Sequence, residues 1–361
     1  MESTDRPARR AALRRAALGL TIVTVVAAAC GGGHKKAAPT TTSSTTAAST
    51  TVAPSTTTLP PTWPLTGLPA KNAGVTHTPA VVVKIDNVSA ARPQSGIDRA
   101  DVVYDTMVEG GLSRLAAVFQ SNYPTLLGPV RSGRLTDEGV SDDLNHPLLV
   151  FAGTNADFMP ILQAQPVTLV TMNNYPNLFQ RIGGNAPHNL FTNVPSMVKT
   201  VNAHSWPAPL FNYLQPGQAF GGAGVAPASG VSFSFPAASV SWSYDGAGHV
   251  WRRTQDGTPH TVQAGFQITA ANVVFYFVPY ITSGMATGEG LPPAPIPEGI
   301  LTGTGNVWVF TAGKVVKGTW TRPNLTTPAT YKDSAGAPIK LAPGNTWVEL
   351  APVGTIPAIT P

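Results

Sequence analysis

The chain has 361 residues, room for two modest domains or one large one, with 23 Lys and Arg, 18 Asp and Glu and a single cysteine. The formal charge of +5 is concentrated at the start: residues 1–36 hold seven basic and two acidic side chains, which leaves sixteen of each in residues 37–361. A neutral remainder has no net cationic face for nucleic acid. With its one cysteine at position 30, the chain beyond that point can form no disulfide, thiolate metal site or cysteine nucleophile.

Residues 1–29 read as a signal peptide. Arg6, Arg9, Arg10, Arg14 and Arg15 form a basic start, and an apolar run follows from Ala16 to Ala29. As a helix that run spans about 21 Å, short of the roughly 30 Å hydrocarbon core, so export is expected rather than a spanning anchor. Ala27-Ala-Ala-Cys30 places small residues before a cysteine, the pattern at which a lipid is attached to Cys30. The expectation is a lipid-anchored protein on the outer face of the cytoplasmic membrane. Arg14-Arg15 leaves both general secretion and twin-arginine export open. Residues 30–62 are Ser, Thr and Pro with few apolar side chains, and are expected to form a disordered tether.

Folded sequence is expected from Trp63. Ala80–Ile85, Asp101–Val108, Leu115–Gln120, Leu148–Ala152 and Val167–Thr171 are short β-branched or apolar runs bounded by turn residues, and read as strands. Asn155–Gln163 reads as a helix, and Pro195 opens another through Val201. Residues 63–206 form an N-terminal α/β part, and the Pro/Gly-rich residues 207–230 a connection. Residues 231–351 form a strand-rich part, with strands at Val231–Phe235, Ser239–Tyr244, His249–Thr254, Ile268–Pro279, Asn306–Thr311, Val315–Arg322 and Thr346–Leu350; residues 352–361 are a tail. Ser283–Gly299, dense in Pro and Gly, reads as a mobile loop. The aromatic residues of this part, Trp242, Trp251, Trp320 and Trp347 among them, face either a core or a sugar-stacking surface, with core packing the simpler account.

Several stretches resemble the YerB-like lipoproteins, a bacterial family of unknown function (domain of unknown function 3048). They are Pro64-Leu-Thr-Gly67, Ala91-Arg-Pro-Gln-Ser-Gly96, Ala100-Asp-Val-Val-Tyr104, Glu109-Gly-Gly111 with Arg114, and Gly128-Pro-Val-Arg-Ser-Gly-Arg134. Ala186-Pro-His-Asn-Leu190, Gly257-Thr-Pro-His260, Gly318-Thr-Trp320 and Gly344-Asn-Thr-Trp347 follow in order. The resemblance implies a two-part, strand-rich α+β fold similar to a three-layer sheet/sheet/helix sandwich. It implies no activity.

Ten of the sixteen acidic residues lie between positions 63 and 200, beside most of the arginines, so a polar site is expected there. Arg131-Ser132-Gly133-Arg134 can present two guanidinium forks and backbone N–H groups to one anion, with Arg114 converging on them. The alternative is a structural arginine pair bridging Asp86, Glu109 or Asp137. His188, followed by Asn189, is a candidate acid/base, with Asp86 or Glu109 as its carboxylate partner and Asn87 able to hold ligand hydroxyls. Equally, these residues can simply cap loops. Arg252, Arg253 and His260 are a candidate polar rim or plain surface charge. No metal set, cofactor loop or Gly-x-Ser-x-Gly nucleophile is present in the sequence. The favoured function is binding of an anionic envelope ligand such as a wall polymer, through Arg114, Arg131, Ser132, Arg134, Asn87 and Asn189. A hydrolase or transferase acting on wall glycan with His188 as acid/base is the alternative, and a structural or accessory protein-binding lipoprotein a third.

Overall fold

The computed structural model describes residues 60–288 and 291–361, so the expected signal, Cys30 and nearly all of the expected tether lie outside the described residues. The strands of the first part are β1 (Val81–Asp86), β2 (Val102–Met107), β3 (Ser113–Phe119), β4 (Leu148–Phe151), β5 (Thr168–Thr171), β6 (Phe179–Arg181) and β7 (Leu190–Thr192). Then come β8 (Ala226–Pro227), β9 (Gly230–Phe235), β10 (Ala238–Asp245), β11 (Val250–Gln255), β12 (Thr258–Pro259), β13 (Thr269–Ala270) and β14 (Asn272–Tyr276). The remainder are β15 (Tyr280–Gly288), β16 (Leu291–Gly299), β17 (Gly303–Thr311), β18 (Lys314–Arg322), β19 (Thr330–Asp333), β20 (Thr346–Glu349) and β21 (Ala358–Thr360). Helices are few: α1 (Thr136–Ser141), α2 (Met159–Gln163) and α3 (Val194–Val201). Among the described residues no helix is long and apolar enough to cross a membrane.

One large sheet joins both parts of the chain in the order β19-β18-β17-β14-β20-β2-β3-β1-β4-β5, with β8 attached to β18. Its centre is the parallel pairing of β2 with β20, so strands from the two parts are immediate neighbours. β1, β2, β4, β5, β14 and β20 all run the same way, while β3 runs against them. Their carboxyl ends therefore share one end of the sheet, the place where open sheets of this kind commonly hold ligands.

β1 is buried along its whole length, which explains the apolar run Val81-Val-Val83 with which it opens. Val81, Val83 and Ile85 face a core shared with Phe233, Phe235, Trp242 and Trp251 of the second sheet, which is ordered β12-β11-β10-β9-β21 with β13 on β11. Val82 points the other way, into a core with Val140 of α1 and Leu162 of α2. The architecture is thus strand-rich α+β, with the second sheet and α3 on one face of the large sheet and α1 and α2 on the other.

The structure departs from the sequence reading in several places. Ser283–Gly299 lies in a β-hairpin, β15 against β16, although residues 289–290 at its tip lie outside the described residues. Four prolines in β16 are tolerated because that strand pairs on one side only. The run Ile268–Pro279 is broken into β13 and β14, which pair with different sheets. The predicted Asn155 helix begins only at Met159, after a turn. Trp242, Trp251, Trp320 and Trp347 are all buried, as the period-two strand pattern favours.

Candidate functional site

Asp86 ends β1, and its cross-strand neighbour is Arg114 at the start of antiparallel β3. Glu109 lies in the tight turn Glu109–Gly111 that joins β2 to β3. The segment 128–134 then crosses the same end of the sheet. Arg131 N donates to the Lys84 carbonyl, Asp86 N donates to the Pro129 carbonyl, and Gly133 N donates to the Gly153 carbonyl just past β4. Two glycines permit this crossing. A Cβ on Gly128, at φ +157°, would come within 2.6 Å of the Leu190 carbonyl of β7, and one on Gly133 would press on the Phe151 ring. Because Val130 N donates to the Leu190 carbonyl, the loop before β7 is drawn beside Arg131, and with it His188.

The groups that meet here are Lys84, Arg114, Arg131, Arg134, Asp86, Glu109, Asp137 and His188. Asp86 Oδ2 accepts from His188 Nδ1 at 2.7 Å and lies 3.0 Å from Arg131 Nε. The Arg131 contact is charge against charge, since the N–H is poorly aimed and Nε has no hydrogen-bond partner. Arg134 Nε donates to Glu109 Oε1 at 2.5 Å, and an Arg114 guanidinium nitrogen lies 3.9 Å from the other Glu109 oxygen. A second Arg114 nitrogen donates to the Ser132 carbonyl at 3.3 Å. Behind them Lys84 Nζ donates to Asp137 at 2.6 Å and to Thr106 at 2.9 Å. Asp86 is sealed, whereas the arginine side chains and His188 remain partly open, from 11% for Arg114 to 27% for His188.

Four cations share the site with three carboxylates, before His188 is counted. Burial and the neighbouring Arg134 pull Arg114 down to about 10, with Arg131 adding to the effect, more than Glu109 and Asp86 restore. Burial pushes the Glu109 carboxyl up, but the hydrogen bond and charge of Arg134, with the charge of Arg114, outweigh it and leave it low. Lys84 is lowered by burial, which its pairing with Asp137 only partly offsets. The result is a partly open cluster in which basic groups outnumber carboxyl groups.

Other expected members fall elsewhere. The N–H groups of residues 131, 133 and 134 are not free for an anion, because Arg134 N donates to Asp137 Oδ2 and the other two are held by carbonyls. Asn189 braces its own loop: it accepts from Arg181 and donates to the Gly183 and Gly184 carbonyls. Asn87 turns inward, donating to Ser113 and Gln255 and accepting from Gln94. Arg253 and His260 form no rim. Arg253 is fully buried between the sheets, ion-paired to Asp105, donating to Gln255 and stacked over Trp347. His260 faces Arg253 on one side and Gln94 on the other. Arg252 alone is at the surface, with Asp245. The sequence reading overlooked Lys84; a lone charge inside Val-Val-Val-Lys-Ile was its signal, since a buried strand keeps a charge only with a partner. Among the described residues no group of three or more His, Cys, Asp or Glu is placed to hold a metal ion.

Comparison with known proteins agrees with the fold. The family described as "Protein of unknown function (DUF3048) N-terminal domain" matches residues 65–207, and its C-terminal domain matches residues 231–348. A curated Bacillus subtilis protein named "Putative lipoprotein YerB" is 46% identical over 71 residues, 20% of this chain; the match spans about a fifth (21%) of that relative's length. The crystal structure of the Bacillus subtilis YerB protein superposes with a TM-score of 0.68 at 22% identity, over 82% of this chain and 99% of that one.

Proposed function

The chain belongs to the DUF3048 family of proteins of unknown function, and from that premise we propose that it is a lipid-anchored envelope protein that binds an anionic ligand. One observation carries the reading: four cations against three carboxylates at the carboxyl ends of parallel strands, with the guanidiniums partly open to solvent. Phosphate or carboxylate groups on a cell-wall polymer supply the missing negative charge, and planar guanidiniums suit either. Arg131 and Arg134 are the grip, Arg114 and Lys84 supply background potential, and Asp86 and Glu109 hold the arginines in place.

The test is equilibrium binding of the detergent-solubilised full chain to purified phosphate-bearing wall polymer, with inorganic phosphate as competitor. The double variant Arg131→Ala, Arg134→Ala should weaken binding at least 30-fold while the melting temperature stays within a few degrees. Unchanged affinity, or a collapse in stability with no binding defect, defeats the reading. The anchor is tested separately: Cys30→Ala should move the protein from the membrane fraction to the soluble fraction.

One contact favours a second reading, a hydrolase or transferase on wall glycan or its phosphates. The His188–Asp86 pairing at 2.7 Å directs Nδ1–H at the carboxylate and leaves Nε2 as the acceptor, which is how an imidazole base is held. Under that reading His188→Gln abolishes turnover of wall fragments and leaves affinity nearly intact. Under the binding reading there is no turnover to lose.

A further inference from the structure

A cleft of roughly 460 Å³ is lined by residues that the anion site does not use, among them Asp142, Asp143, Asn145, His146, Trp206 and Thr326. Its volume falls in the ~300–1,000 Å³ range of small-molecule sites. Trp206 is the one tryptophan among the described residues that is strongly exposed, at 42%. It is held in place: its ring stacks on His77 at 4.2 Å and 15°, and its carbonyl accepts from Asn145 Nδ2 at 2.9 Å. The facing loop is locally strained. Asn145 and His146 are consecutive non-glycine residues at φ +56° and +57°, a conformation that ordinary loops avoid.

The charge here is opposite in sign to that of the anion site. Asp142 and Asp143 face one guanidinium, Arg322, whose nitrogen lies 2.9 Å from Asp143 Oδ2. Asp143 is more than nine-tenths buried, and its Oδ1 has no hydrogen-bond partner. A buried acceptor left unanswered is uncommon and calls for a donor. An excess carboxylate beside it repels phosphate. What remains suitable is a neutral, hydroxyl-rich ligand with one flat apolar face.

We infer that this cleft is a second, independent ligand site, which takes an uncharged N-acetylhexosamine unit of a glycan. The pyranose C–H face lies against Trp206, whose indole offers a broad apolar plate with a polar edge. Hydroxyl groups donate to the Asp142 and Asp143 carboxylates. The acetamido methyl fits the proline wall of Pro166, Pro207 and Pro328. Burial raises Asp142 to about 7, with Asp143 reinforcing it against Arg322, and burial raises Asp143 to about 6. Both carboxyls therefore take up a proton at a higher pH than an ordinary aspartate, and whichever is protonated can give as well as accept a hydrogen bond.

The probe is a soluble β-1,4-linked N-acetylglucosamine trisaccharide, which carries no phosphate. It is titrated against the full chain by calorimetry, and acrylamide quenching of tryptophan fluorescence is followed in parallel. Saturable binding is expected, with protection of the quenchable tryptophan. Trp206→Ala should weaken it at least 10-fold, as should Asp142→Asn, which keeps the side-chain volume in case the tryptophan variant folds poorly. Arg131→Ala with Arg134→Ala should leave it unchanged. No binding at millimolar sugar overturns the inference. So does binding unaffected by both cleft variants, or binding lost only in the arginine variant. The first two of these results leave the anion site untouched, since its own test uses phosphate.

Discussion

Two clusters of arginine and carboxylate lie close together in this fold and behave oppositely. At the carboxyl ends of β1 and β2, Arg114, Arg131 and Arg134 meet Asp86 and Glu109 with partial access to water and an excess of positive charge. Between the sheets, Arg253 meets Asp105 and Glu349 with no access to water at all. There Glu349 accepts from the Trp242 indole at 2.9 Å, and the Asp105 and Glu349 carboxyls lie within hydrogen-bond reach of each other. Burial, then the neighbouring Asp105, pushes the Glu349 carboxyl up to about 8, against the pull of Arg253. Burial also raises Asp105, with Arg253 opposing it. The same residue types therefore make a partly open cluster at the end of a sheet in one place and a sealed fastening between layers in the other. What separates them is solvent access, and with it the proton that burial makes the carboxyl groups retain. Chemical identity alone does not.

The sharpest way to break the comparison is Arg253→Ala. It leaves two carboxylates in a dry interior, and truncating one partner of a buried pair costs about 3–5 kcal/mol. A urea midpoint near that of the wild type would show the network to be wetter than described. Glu349→Gln sharpens the contrast through pH. The folded-state value of about 8 lies above the ordinary 4.5, so the native protein holds a proton that the unfolded chain releases. The stabilisation is complete below about pH 4.5, declines as pH rises and is gone above about 8. Wild-type stability should fall across this window with a slope of at most ~1.4 kcal/mol per pH unit. Glu349→Gln should flatten that fall; an equal slope in both proteins would assign it to another group.

Smaller effects belong to the open cluster. Asp86→Asn removes the counter-charge of Arg131 and leaves one acceptor oxygen where His188 Nδ1 and Val88 N now use two, and should cost about 1–3 kcal/mol, read from urea melts. The pair Arg131→Ala and Arg134→Ala should change stability by no more than about 1 kcal/mol, because partly exposed ion pairs contribute little. Binding of the phosphate polymer should nevertheless fail in that variant. The remaining wild-type affinity should drop as salt is raised, in contrast to the salt-indifferent stability contribution of Arg253.

Much of the frame was legible beforehand. β1 to β5 were marked by short β-branched runs, and α3 by its Asn-x-Pro opening, since Asn193 caps it by accepting from Ser196 N. The hairpin β15–β16 was not legible, because prolines that exclude a central strand are acceptable on a strand paired on one side. β6 and β7, three residues each, carry too little pattern to register. In the site, the Arg131–Arg134 motif and the Asp86–His188 pair stood out as chemistry. The roles of Asn87 and Asn189 did not, because an asparagine beside a charged residue reads the same whether it braces a loop or faces a ligand.

By itself, the sequence determined the class of fold and which residue types were available for a polar site, since composition and periodicity are local properties of the chain. Tertiary structure decided which arginines are wet and which are dry. Arg131 and Arg253 are equally charged on paper, but one reaches past the end of a sheet and the other is enclosed between two. That outcome depends on β20 pairing with β2 across more than two hundred residues of chain, a long-range register that no local pattern encodes.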